Sequence, residues 1–211
     1  MLALLVALAG PPPPAAAQPA PTQPRSLQPR PPRPASPPPR VHPFNARRLE
    51  IHRGGMAVLT GYSLLNIGLG LGLGLTQDGP ARHFHQMNAY WNTVNLALGV
   101  AGLVGVRRED RTLALPAAMA RARKHQSLFT WNAALDVLYV TTGAVLFNAG
   151  QDRDHGRMLG YGAAIMLQGG FLFAFDLTLA ALHARNIRRF SGTVAGAPIP
   201  GGVVLGLRGA F

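Results

Sequence analysis

Four apolar stretches free of Lys and Arg recur along this chain: Met56 to Leu75, Met87 to Val106, Leu128 to Phe147 and Leu159 to Leu182. Each is close to the roughly 20 helical residues needed to cross a hydrocarbon core. Each is also apolar around most of its circumference, which suits a spanning helix better than a helix with one buried stripe. The expected fold class is all-α: a polytopic membrane protein with four transmembrane helices, its main partner the lipid bilayer.

The segments between these stretches predict how they are joined. Gln77 to His85 and Gly150 to Arg157 are short polar turns containing Gly, so the helices should form two antiparallel hairpins. Arg107 to Gln126 is expected to be a longer charged loop. Before the first span, Phe44, Leu49 and Ile51 sit among charged residues as in a short interfacial helix. MNAYWN at Met87 and MLGYGA at Met158 echo each other, as a two-helix duplication would leave them. The domain organisation read from this is a signal peptide or short hydrophobic leader (1–17), a disordered Pro-rich linker (18–43) and an interfacial helix (44–55). A four-helix membrane domain (56–190) and a flexible Gly-rich tail (191–211) follow. The Pro-rich stretch cannot bury a core. Val203, Leu205 and Leu207 alternate as a strand would, but four helical spans ahead of them favour a tail.

Composition narrows the function classes. Only 13% of the 211 residues are charged, against about 25% in an ordinary soluble domain. The net charge of +12 falls in separate blocks without interleaved aromatics, so no nucleic-acid partner is expected. The absence of cysteine excludes thiolate metal sites and cysteine nucleophiles. No catalytic residue set is recognisable: the chain has no metalloprotease helix motif, phosphate loop or Ser-His-Asp spacing. No cofactor is expected either, and since no span contains a histidine, none offers a haem ligand.

Lys and Arg concentrate in the N-terminal segment, the middle loop and the tail, whereas the two hairpin turns hold Arg82, Arg153 and Arg157. The positive-inside rule then places both termini in the cytoplasm of a bacterial inner-membrane protein. A cleaved leader predicts the opposite orientation. The charge asymmetry outweighs it, because the leader lacks a charged n-region.

Every span also carries polar residues at helical spacing. Asn88, Asn92, Asn95 and Gly99 line one face, Asn132, Asp136, Tyr139 and Gly143 another. The first span offers Ser63 and Asn66, and the fourth Gln168 and Asp176. Measured from the middle-loop side at 1.5 Å per residue, Asn66, Asn95, Asp136 and Asp176 fall roughly 9 to 16 Å deep, in neighbouring layers. With no Lys or Arg in any span, each aspartate must be protonated, amide-paired, hydrated or cation-bound, since a bare charge costs about 2.5 to 3.5 kcal/mol at a helix centre. Asn66, Asn92, Asn95, Asn132, Asp136, Gln168 and Asp176 are therefore the candidate intramembrane polar site. For metal, the loop residues His83, His85, Asp152, Asp154 and His155 share one membrane face and form an acceptable N/O ligand set.

Two functional readings stand. In one, the chain is structural or accessory, associating with itself or with other membrane proteins, and its amides join helices. In the other it is a small transporter or channel subunit whose Asp/Asn site takes a proton, cation or amine.

The pieces FNARRLEIHRGGMAVL at Phe44, FHQMNAYWNTVNLALG at Phe84, WNAALDVLYV at Trp131 and LGYGAAIMLQGGFLFAFDL at Leu159 together resemble an uncharacterised family of small bacterial four-helix membrane proteins, a domain of unknown function. The resemblance covers most of residues 44 to 188. It implies the fold and brings no activity.

Overall fold

The computed structural model describes residues 41–194, with side chains through Ser191. Four helices follow one another: α1 (Pro43–Thr76), α2 (Gly79–Arg108), α3 (Leu115–Asp152) and α4 (Gly156–Val194), with no strand among the described residues. All four are long and apolar enough to cross a membrane, as the sequence predicts. The leader, nearly all of the Pro-rich linker and most of the tail, with its strand-like alternation, lie outside the described residues.

The helices begin at legible signals. Pro43, Pro80 and Pro116 occupy the first turns of α1, α2 and α3, where a missing N–H leaves no bond unmade. The His42 ring caps α1, its Nδ1 accepting from the Phe44 N–H at 3.2 Å. Gly79, at φ +57°, turns the chain from α1 into α2, a backbone state glycine adopts without penalty.

Two segments differ from expectation. Residues 44–55 are the first turns of α1, continuous with the span and not a separate helix. The charged loop expected at 107–126 shrinks to residues 109–114, because α2 runs through Arg108 and α3 starts at Leu115. The stretch PAAMARARKHQ is built from strong helix formers; its charges mark the exit from lipid, not the end of the helix.

These helices, of 34, 30, 38 and 39 residues, therefore overshoot the bilayer. At 1.5 Å per residue they are roughly 45 to 59 Å long, against a hydrocarbon core of about 30 Å. In α1, α3 and α4 the excess lies at the middle-loop end. There Phe44, Ala118 and Ala122 are fully buried with Ile187 and Phe190 against them. Farther along, Ile51, Met56, Phe129, Leu179 and Ala180 form a second apolar cluster.

A polar clamp closes the same end. Arg48, fully buried, donates from Nε to Asn45 Oδ1 at 3.0 Å and pairs through a terminal nitrogen with Glu109. Arg121 reaches the same carboxylate at 3.2 Å. Asn45 Nδ2 donates to the carbonyls of Asp110 and Arg111 at 3.2 and 2.9 Å, tying the short loop to α1.

Each hairpin pairs its two helices closely, α2 against α4 joins the hairpins, and α1 meets α3 and α4 more lightly. Small residues set the hairpin seams. A methyl group on Gly162 would lie 2.5 Å from the Phe147 nitrogen and 2.7 Å from the Gly143 oxygen, so α3 and α4 meet backbone to backbone. The outer surface is apolar: Leu65, Leu75, Trp131 and Val145 are all well exposed, as residues facing lipid acyl chains would be.

Candidate functional site

The burial pattern is inverted relative to a soluble bundle. Ser63, Asn88, Asn92, Asn95, Asp136, Gln168 and Asp176 are buried between the helices, while large aliphatic side chains face outward. The stripes read from helical spacing thus converge on the bundle interior. Asn66 and Asn132 are half-buried at its margins.

Several of these groups satisfy themselves within their own helix. Ser63 donates to the Leu59 carbonyl at 2.7 Å, Asn66 Nδ2 to that of Tyr62 at 2.9 Å, and Asn92 Nδ2 to that of Asn88 at 2.8 Å. Such back-bonding lets a polar side chain sit in an apolar medium without a partner on another helix. Two bonds cross between the hairpins: Gln168 Nε2 on α4 donates to Asn88 Oδ1 on α2 at 2.6 Å, and nearer the loop end Asn186 Nδ2 on α4 donates to the Phe44 carbonyl of α1 at 3.3 Å. Nearby, the Trp91 ring of α2 meets Tyr139 of α3 edge-on at 5.1 Å.

The remaining polar atoms are less well matched. Among the described residues no partner reaches Asn92 Oδ1, Asn95 Nδ2, Gln168 Oε1 or Asp136 Oδ2, all buried. Buried polar atoms without partners are uncommon and costly. Asp136 and Asp176 face each other across the α3–α4 contact, their carboxyl groups within hydrogen-bond reach. Close approach of the helices there rests on Gly169, where a methyl would lie 3.1 Å from the Asp136 carbonyl oxygen. A hydrogen bond between two carboxyl groups needs a proton on one of them. The pair, in a bundle whose spans hold no Lys or Arg, can therefore take up and give up a proton, or exchange it for a cation.

The hairpin-turn residues do not behave as the ligand set expected of them. His155 Nδ1 accepts from the Met158 N–H at 3.4 Å in the first turn of α4, and His83 Nδ1 faces Gln86 Oε1 at 3.3 Å. Asp152, Asp154 and His155 are exposed. Among the described residues no three of His83, His85, Asp152, Asp154 and His155 gather at metal-ligand spacing. The histidines that converge are His52, His125 and His183, at the opposite end of the bundle. Sequence reasoning assigned each to a flank. No local sequence signal marks their convergence, which depends on α1, α3 and α4 continuing past the apolar runs.

The family model for a family of unknown function (DUF6992) matches residues 58–177. This range takes in the second and third spans whole, most of the first and fourth, and every residue of the polar layer, and the resemblance read from the sequence is met over it. No curated protein and no solved structure matches the chain.

Proposed function

The chain belongs to this family of unknown function, which brings no activity with it, and from the bundle's own geometry we propose a membrane protein that handles protons or small cations. It binds the ion between the helices at Asp136 and Asp176, with Asn95, Asn92, Asn66, Asn132 and Gln168 as the polar lining. The observation that carries this reading is the buried carboxyl pair, within hydrogen-bond reach in spans that hold no Lys or Arg. Intramembrane acids are expensive, and helix packing alone is served as well by amides. The unpartnered Asn95 Nδ2, Asn92 Oδ1 and Gln168 Oε1 supply polar groups that hydrate or coordinate an ion passing the pair.

The Lys/Arg asymmetry across the connections supports a bacterial inner-membrane location with both termini cytoplasmic. The apolar outer belt supports lipid, or a second copy, as its neighbour. A second, structural reading is favoured by the Gln168–Asn88 bond, which has the form of interhelical glue.

Proteoliposomes carrying a trapped pH dye separate the two. Under an imposed cation or potential gradient, the unmodified chain should move protons or cations, and Asp136→Asn and Asp176→Asn should each abolish the movement while remaining folded. Movement equal in Asp136→Asn and unmodified vesicles, or absent from both, overturns the transport reading.

A further inference from the structure

At the middle-loop end of the bundle, His52 of α1, His125 of α3 and His183 of α4 meet in one layer. The cluster of Phe44, Ala118 and Ala122 lies on one side of that layer, and that of Ile51, Phe129 and Leu179 on the other. The His52 and His125 rings are stacked, 4.4 Å between centroids, and His125 meets His183 at 5.4 Å. His183 is completely buried. Among the described residues neither of its ring nitrogens has a hydrogen-bond partner, nor does Nδ1 of His52 or of His125.

This is an unusual way to leave three imidazoles. A buried polar atom without a partner is uncommon and costly, and this layer holds four of them. His42 and His155, by contrast, spend Nδ1 on capping a helix start. One potential ligand nitrogen from each ring lies within 4.8 Å of the other two. Three nitrogens bound to one zinc ion at about 2.0–2.1 Å stand about 3.3 Å apart. Because an imidazole lone pair lies in the ring plane, binding one ion requires the stacked His52 and His125 rings to turn out of parallel.

From this geometry we infer that His52, His125 and His183 form a binding site for a divalent transition-metal ion of the zinc, cobalt or nickel type. Neutral imidazole is a favoured ligand for such ions, and three protein ligands leave a fourth position for water or an exogenous group. His52 and His125 are half-buried, so the ion enters from the solvent at this end. The charge of Arg48 bears on all three rings, and its pairing with Glu109 offsets it. The ion crosslinks α1, α3 and α4 where they leave the lipid, and lies two helical turns along α4 from Asp176. The site stands apart from the proton or cation reading of the aspartates.

The test uses the full, untagged chain in lipid nanodiscs, stripped with a chelator. Titration with Co²⁺ followed by visible absorption, and with Zn²⁺ by competition, should give one ion per chain, with X-ray absorption reporting nitrogen ligands. His52→Gln and His125→Gln should each weaken binding by more than the roughly 10–100-fold that loss of an outer-shell partner costs. Asp136→Asn and His83→Gln should leave it unchanged. His183→Gln is the most exposed to misfolding, and the two half-buried positions decide the matter without it. Absence of a stoichiometric ion, or binding that survives His52→Gln and His125→Gln but falls with His83→Gln or His155→Gln, overturns the site. Loss of ion flux in Asp136→Asn vesicles with metal binding intact distinguishes this site from the carboxyl pair.

Discussion

Gln168 of α4 holds Asn88 of α2 through a 2.6 Å hydrogen bond between their side-chain amides, both buried. The two residues lie in different hairpins, so this bond fixes the register of one hairpin against the other. Interhelical hydrogen bonds in membranes average about 0.6 kcal/mol and reach about 1.7 kcal/mol in measured cycles. A double-mutant cycle with Asn88→Ala and Gln168→Leu, read from thermal or denaturant unfolding in lipid, should give a coupling of about 0.6–1.7 kcal/mol. A coupling near zero would mean that this bond adds nothing to the docking of the hairpins.

Gly162 is a position where close helix contact is unforgiving. A methyl there meets the Phe147 nitrogen and the Gly143 oxygen, backbone atoms that cannot rotate aside. Gly162→Ala should therefore destabilise the bundle by about 1–3 kcal/mol, the range for overpacking a filled interior. Gly170 lies on the same helix with nothing within 4 Å of an added methyl. Gly170→Ala should be neutral or stabilising by up to about 1 kcal/mol through helix propensity. Side-by-side unfolding of the two variants separates contact from propensity.

Glu109 gives the loop end a pH dependence. Partial burial works against its charge, but the hydrogen bond and charge of Arg48, with Arg121 and His125 beyond, outweigh burial and hold its carboxyl below the ordinary glutamate value. A carboxyl depressed by folding stabilises the fold above its unfolded pKa of about 4.3. That contribution fades as the pH falls from there through the folded value. Melting temperature in nanodiscs should accordingly fall below about pH 4, and Glu109→Gln should flatten this part of the profile. The same substitution leaves the fully buried Arg48 without its anion. At neutral pH it should cost about 3 kcal/mol, the low end for breaking a buried pair, since water still reaches Glu109.

How much of this was legible in the sequence depends on the length scale. The four spans followed from Lys/Arg-free runs, and the inward placement of Asn92, Asn95 and Asp136 from a 4–3–4 spacing that only one helical face satisfies. The pairing of Asp136 with Asp176 was visible only as similar depth, because depth does not reveal which helices are neighbours. The histidine trio and the Asn45–Arg48–Glu109 clamp were not legible. Hydropathy marks where lipid ends, and His52, His125, Arg48 and Glu109 lie beyond that mark. Nothing local says that α1, α3 and α4 keep packing past the membrane surface, and it is that continuation, with Phe44 against Phe190 at 5.4 Å, which brings these residues together.

The topology can be tested with unusual economy because the chain contains no cysteine. Single substitutions Gln151→Cys, in the last turn of α3, and Arg111→Cys, in the loop between α2 and α3, introduce one exposed thiol at each end of the bundle. Neither position contributes a side chain to the clamp: Arg111 offers Asn45 only its carbonyl oxygen, which cysteine retains. The one span between them, α3, puts Gln151 and Arg111 on opposite faces of the membrane. In the orientation proposed from the Lys and Arg excess, the Arg111 face is the cytoplasmic one. A membrane-impermeant maleimide should label Gln151→Cys in cells whose inner membrane is intact. Arg111→Cys should be labelled only after that membrane is opened. The reversed pattern would invert the assignment while preserving four spans, whereas labelling of both thiols from one side would require a helix that does not cross.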